Sequence, residues 1–395
     1  MKYIDELRDR IKDVRHVSTL TENMVWETHD TMIWKADCFD GLPFFYNVYN
    51  YDDYYSYSLL ALILHKGRMV VNQQAVDNTQ ADEFANHKGN YTIDHEINKI
   101  GAPHDCSYEI KNPVEYCKLV ADAMIKDIGL IEAKNPGKTN IVMCGGRDSM
   151  NLLLLPWKNP VIALSAEPNY HWVCDFVKRN KLNIPVRKLS DTYDEAVLKD
   201  EVIEACCRAN LVHWRWGVDL RQIANEYDHD GIIWKGQLGD VYLNENWKDF
   251  LTPYIEPQRT VRRTYKKFSK FVPHFIHRFI GHRFQEKVVN VIWEVCSGLQ
   301  GGHMCFLRSL TDMLVVSGYH GPNMSALMRK VDFGEVCQTD LRPAIGKIIT
   351  GDEVYYPKEN PWPKPSSFRE GLHHPDHFLN ALKSVGVDVV YPENQ

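Results

Sequence analysis

From residue 140 onward, short apolar runs alternate with longer stretches whose apolar residues recur at helical spacing. NIVMC, PVIALSA, IPVRKLS and DGIIWKG read as strands; DSMNLLLLPW, NYHWVCDFVKRN and YDEAVLKDEVIEACCRANLVH, lying between them, read as helices. Short apolar strands separated by helices predict an α/β fold with a doubly wound parallel sheet. Ahead of them, NPVEYCKLVADAMIKDIGLIEAKNPGKT predicts a helix that stops at Asn135-Pro136-Gly137. The first hundred residues follow a different pattern of short, aromatic-rich strands with turns, as in GLPFFYNVYNYDDYY, GRMVVNQQAV and GNYTIDHEI, with YSLLALILHKG as a core helix. The change in pattern sets a domain boundary near residue 112, giving a small β-rich domain over 1–111 and a second over 112–395. Beyond about residue 247 the chain reads as mostly helical, and YYPKENPWPKPSS as an ordered loop suited to covering a site.

Length and composition agree with two domains of an ordinary globular protein: 395 residues, 44% hydrophobic and 25% charged. A formal net charge of -6 argues against a dedicated nucleic-acid binder. The start, MKYIDELRDRIKDVRHV, lacks the apolar core of a secretory signal, and no apolar run approaches the roughly 18–20 residues that cross a bilayer. The ten cysteines form no CxxC pair, which speaks against a zinc ribbon or a thioredoxin-like site and for free thiols in a reducing, cytoplasmic setting.

Candidate chemistry starts at residues 144–149, where a strand hands over to a helix through Cys144, Gly145, Gly146, Arg147, Asp148 and Ser149. The two glycines let backbone N–H groups turn toward a phosphate at the positive end of the next helix. Ser149 adds a hydrogen bond, and Asp148 is a ligand for magnesium. The segment is neither GxGxxG nor GxxxxGK[ST]. It resembles the SGGxDS pyrophosphate loop of the N-type ATP pyrophosphatases, with Cys144 where that family has serine. A second segment, WKGQLGDVY, resembles the SGxGxDE segment of the asparagine synthetases, one branch of that superfamily: Gly236, Gly239 and Asp240 resemble the pattern, while Lys235 replaces the serine, Leu238 the middle glycine and Val241 the glutamate.

The resemblance implies an adenine nucleotide alpha-hydrolase-like fold and ATP and Mg2+ as cofactors, with the metal shared by Asp148 and Asp240. It implies phosphate binding by residues 144–149 with Gly236 and Gly239, and adenine contacts at Leu164 and Ser165 of ALSAEPN. In the later helix region, RSLTDMLVVSGYHGPNMSALMRKV, the family's glutamate falls on Gly318 and its arginine on His320, leaving Tyr319 or His320 as substitutes in acid–base work. PKENPWPKP resembles the lid that presents a lysine, with Lys358 preferred over Lys364. The family's glutaminase cysteine has no counterpart at the start, where Lys2 follows Met1 and the first cysteine is Cys38. GNYTIDHEINKIGAPHDCSYEI nevertheless resembles the end of that domain. The first domain is therefore expected to be a degenerate glutaminase-like module, a candidate for docking or for association into a homodimer.

The reaction implied is adenylation of a small-molecule or peptide carboxylate, followed by attack of an amine or ammonia to give an amide, AMP and pyrophosphate. Two alternatives stay open. One activates a base or sugar carbonyl for amination or thiolation, for which the basic stretch at 257–288 would suit an RNA, although adjacent Cys206 and Cys207 do not suit paired thiolation. The other is a degenerate binder of ATP. Arg215 or Arg221, near Trp214, Trp216 and Asp219, would clamp a substrate carboxylate. His282, His303, His320, His373 and His374 have no metal-binding spacing.

Overall fold

The computed structural model describes residues 14–16, 48–56, 59–73, 94–100, 107–189, 223–244, 311, 313–319, 321–357, 379–380, 382–383 and 386–392. The first elements are β1 (Arg15–His16), β2 (Val48–Tyr51), β3 (Tyr54–Ser56), α1 (Leu59–Lys66), β4 (Arg68–Val70) and β5 (Asn98–Ile100). Strands β1, β3, β2 and β5 pair in that order as an antiparallel sheet. Residues 61–64 of α1 are buried, as its apolar run requires, and the helix stops at Gly67, whose N–H returns to the Ile63 carbonyl at a φ of 72°. Lys66 ends α1 between two carboxylates, 2.9 Å from Asp94 and 2.7 Å from Glu96, with its ammonium over the Tyr51 ring.

The remaining elements are α2 (Pro113–Lys134), β6 (Thr139–Met143), α3 (Arg147–Leu152), β7 (Val161–Ser165), α4 (Tyr170–Arg179), β8 (Val186–Lys188), β9 (Gly231–Lys235), α5 (Gly239–Tyr242), β10 (Leu314–Ser317), α6 (Pro322–Met328), α7 (Phe333–Val336), α8 (Arg342–Thr350) and β11 (Asp388–Val390). Asn112 caps α2 by accepting the N–H groups of Val114 and Glu115, and Pro113 occupies the first helical position, where it has no N–H to lose.

Five strands form one parallel sheet in the order β10-β9-β6-β7-β8, so the chain is α/β. It runs outward from β6 through β7 to β8, returns to the other side of β6 as β9, and continues to β10. The direction of travel reverses between β6 and β9, and such a reversal opens a crevice at the carboxyl ends of the two strands. Register places Leu164, Met143, Lys235 and Ser317 opposite one another across the sheet. The segments that follow these strands, 144–149, 236–240 and 318–319, therefore leave the sheet side by side.

One sheet face is tied to α2 through polar side chains. Trp234 donates to Asn140 at 2.8 Å, Asn140 donates to Glu132 of α2 at 2.8 Å, and Trp157 packs edge-on against Trp234. Glu132 also accepts the N–H groups of Lys158 and Asn159. Earlier in α2, Asp127 caps the start of α6 from outside that helix, accepting from the N–H groups of Asn323 and Met324 and from the Asn323 amide.

The stretch beyond 247 contains strands where helix was expected. LVVS at 314–317 is β10, stabilised by pairing with β9 that local propensity does not foretell. DVV at 388–390 is β11, which pairs in parallel with β4, so the end of the chain returns to the first hundred residues. Strand β5 falls at 98–100, later than GNYTIDHEI. The helix expected at 193–213 lies outside the described residues. Among the described residues no helix is long and apolar enough to cross a membrane.

Burial lifts the Asp127 carboxyl to about 6, against the three hydrogen bonds that favour its ionised form. A folded pKa above the usual carboxylate value means that the folded state holds this proton more tightly. The associated stability is complete below about pH 4 and is lost as pH rises through about 6. Asp127→Asn should remove that dependence. The melting temperature of the wild type relative to the variant should then be higher at pH 4 than at pH 7, a difference of about 3 kcal/mol in stability; scanning calorimetry at the two pH values measures it.

Candidate functional site

The glycine loop is rooted in β7. The Cys144 N–H donates to the Leu164 carbonyl at 2.7 Å, and the Ser165 hydroxyl donates to the Cys144 carbonyl at 2.7 Å. Leu164, Ser165 and Cys144 are all buried, and burial pushes the Cys144 thiol up, so this sulfur packs rather than reacts. Leu164 and Ser165, expected to contact adenine, thus have those groups engaged in anchoring the loop. Across the loop, the Asn169 amide donates to the Gly145 carbonyl at 2.9 Å, while its Oδ1 is buried without a hydrogen-bond partner.

The N–H groups of Gly145 and Gly146 converge on one point. Both donate to the Ser149 hydroxyl, at 3.1 and 3.3 Å, and that hydroxyl donates to the Gly146 carbonyl at 2.9 Å. Two adjacent backbone donors aimed at a single oxygen form the kind of concavity that accepts an anionic oxygen.

The second loop touches the first. A Cβ on Gly236 would lie 2.4 Å from the Ser149 nitrogen, and one on Gly239 would lie 2.7 Å from the Asp148 carboxylate. Both glycines are therefore required by contact with the first loop, a role beyond the phosphate contacts expected of them. Leu238, at the position of the family's middle glycine, has a φ of 77° with a buried side chain, so the left-handed backbone persists with leucine in place.

The charged groups form a connected set. Arg342, the first residue of α8, donates from Nε to Asp148 Oδ1 at 2.6 Å and from Nη1 to Asp340 at 3.0 Å. Asp340 also accepts from the Arg342 N–H at 3.1 Å and from Arg147 Nη1 at 3.1 Å. Arg147 Nε is buried without a hydrogen-bond partner. Burial disfavours the Arg342 charge, but Asp148 and Asp340 outweigh it and hold the guanidinium charged. For Asp148, burial raises the carboxyl while the Arg342 charge opposes the rise. Asp240 is exposed as a residue, yet its carboxyl lies among enough protein that desolvation lifts it to about 6; repulsion from Asp148 adds to this and Arg342 opposes it.

Tyr319, expected in acid–base work, is a brace. It is fully buried, donates to the Asp148 carbonyl at 2.9 Å and accepts from Asn151, and burial raises its phenol well above the ordinary value. Tyr356 completes the support: its one hydroxyl proton lies between two acceptors, Asn151 Oδ1 at 2.5 Å and the Arg342 carbonyl at 3.1 Å. His320, Lys358 and Lys364 lie outside the described residues, as do Cys206, Cys207, Arg215, Arg221 and the basic stretch at 257–288. The structure therefore brings together residues 144–149, 236, 239 and 240. It adds Arg342, Asp340 and Asn169, which no local motif marks; the sole hint is a pair of opposite charges in DLRP at the start of a helix.

Among the described residues no three His, Cys, Asp or Glu side chains converge as a metal site. Magnesium accepts one or two carboxylates when phosphate oxygens and water complete its shell. Asp148 and Asp240, close enough to repel, fit that donor set. No protein-family model matches the chain, and no curated protein matches it.

The contact between the loops is open to a direct test. Gly236→Ala forces a methyl group into the Ser149 backbone and should cost about 1–3 kcal/mol. Gly129→Ala in the middle of α2, where an added Cβ meets nothing within 4 Å, should stabilise by up to about 1 kcal/mol. Thermal denaturation should therefore move in opposite directions for the two variants.

Proposed function

We propose that the chain is an ATP-dependent ligase of the N-type ATP pyrophosphatase kind, most similar in plan to asparagine synthetases, with the doubly wound fold that this implies. In this reading it adenylates a carboxylate and passes the acyl group to an amine or ammonia. The observation that carries the proposal is the meeting of two loops at the strand-order reversal. One presents paired N–H donors with Asp148, the other a second carboxylate, Asp240, close enough for the two charges to repel. A nucleotide's phosphates with a divalent cation answer both halves of this arrangement.

The reaction balances as two displacements. A carboxylate oxygen attacks the α-phosphorus, the bond between that phosphorus and the bridging oxygen to the β-phosphate breaks, and pyrophosphate leaves. The amine nitrogen then attacks the acyl carbon, the bond to AMP breaks, and the nitrogen gives up a proton. Magnesium held by Asp148 and Asp240 would supply charge neutralisation on the phosphates. The chain's own part is positional and electrostatic. The N–H groups of Gly145 and Gly146, which donate to the Ser149 hydroxyl in the chain by itself, would pass to phosphate oxygens and free that hydroxyl to donate as well, with Asn169 Oδ1 an acceptor beside them. Tyr319 and Tyr356 hold α3 still from beneath. Lys358, in the segment that resembles the family's lid, would balance charge on the leaving group.

Incubation with α-labelled ATP, magnesium and pooled metabolites, followed by separation of AMP from ADP, tests the reading. AMP with pyrophosphate is expected, and Asp148→Asn should lower its formation at least about a hundredfold, the scale of losing one charge-stabilising group. ADP would overturn the proposal, because cleavage would be at the wrong phosphate. ATP binding without cleavage, unchanged in Asp148→Asn, would favour a non-catalytic nucleotide binder.

A further inference from the structure

The Asp148 oxygen nearest the second loop is already committed. Arg342 Nε lies 2.6 Å from Oδ1, and both side chains are largely withdrawn from solvent. A guanidinium and a divalent cation cannot share that oxygen without severe repulsion, so Arg342 and a metal bridging to the second loop are alternatives at Asp148 Oδ1. Asp340 supplies what an exchange between them requires. It holds Arg342 through Nη1 and through the backbone N–H, and it also holds Arg147 of the glycine loop. On leaving Asp148, the guanidinium would remain tethered beside the loop, where its planar fork suits a phosphate. Charge points the same way: Asp148, Asp240 and Asp340 outnumber Arg147 and Arg342 by one, and Asp240 feels both Asp148 and Arg342.

The geometry points to Arg342 as an exchangeable counter-ion: it competes with a divalent cation for Asp148 and, when the cation enters with a nucleotide, transfers to the phosphate groups. This inference rests on the functional reading above and assigns that site a further positioning residue. It makes metal and nucleotide binding cooperative, because each removes a penalty that the other would face alone.

The test uses the full chain, Mn2+ as probe and a non-cleavable α,β-methylene analogue of ATP. Free Mn2+ is counted by electron paramagnetic resonance, and analogue binding is followed by calorimetry. Arg342→Gln should bind Mn2+ alone about tenfold more tightly than the wild type and the Mn2+–analogue pair about tenfold more weakly, the scale of one modest ion pair. Arg342→Lys, which keeps the charge, should leave the affinity for Mn2+ alone near that of the wild type. Equal affinities in wild type and Arg342→Gln would overturn the exchange while leaving the functional reading intact. Failure of both proteins to bind metal or nucleotide would overturn the two together. Should Arg342→Gln not fold, the Arg342 Nε–H resonance of the wild type, assigned against Arg342→Lys, decides. It should shift when Mg2+ and analogue are added together and stay in place with analogue alone; a resonance unmoved by both overturns the exchange.

Discussion

Parallel pairing of β6 with β9 is the constraint from which the site follows. The pairing sets Met143 beside Lys235, so the loops that leave these strands begin one strand spacing apart and run into each other. Glycine at 236 and 239 is what lets them meet, since a side chain at either position would enter the backbone of Ser149 or the carboxylate of Asp148. A glycine in such a loop invites a reading as a phosphate contact. Here its demonstrable role is closeness between two protein segments, whereas the concavity beside Ser149 is made within the first loop.

The charged network is governed by the same crowding. Three carboxylates gathered where two strands end would repel one another in a poorly solvated setting, and Arg342 and Arg147 offset most of that repulsion. A buried pair of this kind contributes little net stability, yet removing one partner is severe because the other charge is left stranded. Such an arrangement is better suited to changing partners than to holding the fold. The fold itself is carried by the apolar sheet and by the polar ties from α2, where Glu132 and Asp127 satisfy backbone donors of neighbouring segments.

Much of the architecture was legible along the chain. Helix α2 begins after Asn112 and ends before Asn135 as the capping signals indicate, and β6, β7 and β9 coincide with apolar runs because strands buried in a parallel sheet carry little alternation to mislead, whereas the edge strand β8, Val-Arg-Lys, carries polar residues. Strand β10 was missed because LVVS alone does not distinguish strand from helix, and its pairing with β9 is non-local. In the site, residues 144–149 and Asp240 stood out because turn geometry and phosphate chemistry restrict residue types over a few consecutive positions. Tyr319 was placed by alignment to a motif, but a buried phenol donating to the Asp148 carbonyl is a property of packing.

The sequence by itself determined the parallel α/β pattern, the glycine loop and the carboxylate of the second loop, since each is a local matter of periodicity, backbone freedom or short-range chemistry. Only the tertiary structure decided that Arg342 and Asp340 join Asp148, that Leu164 and Ser165 anchor the loop, and that β11 returns to β4. Those contacts link residues far apart in the chain, and the order and register of the strands bring them together.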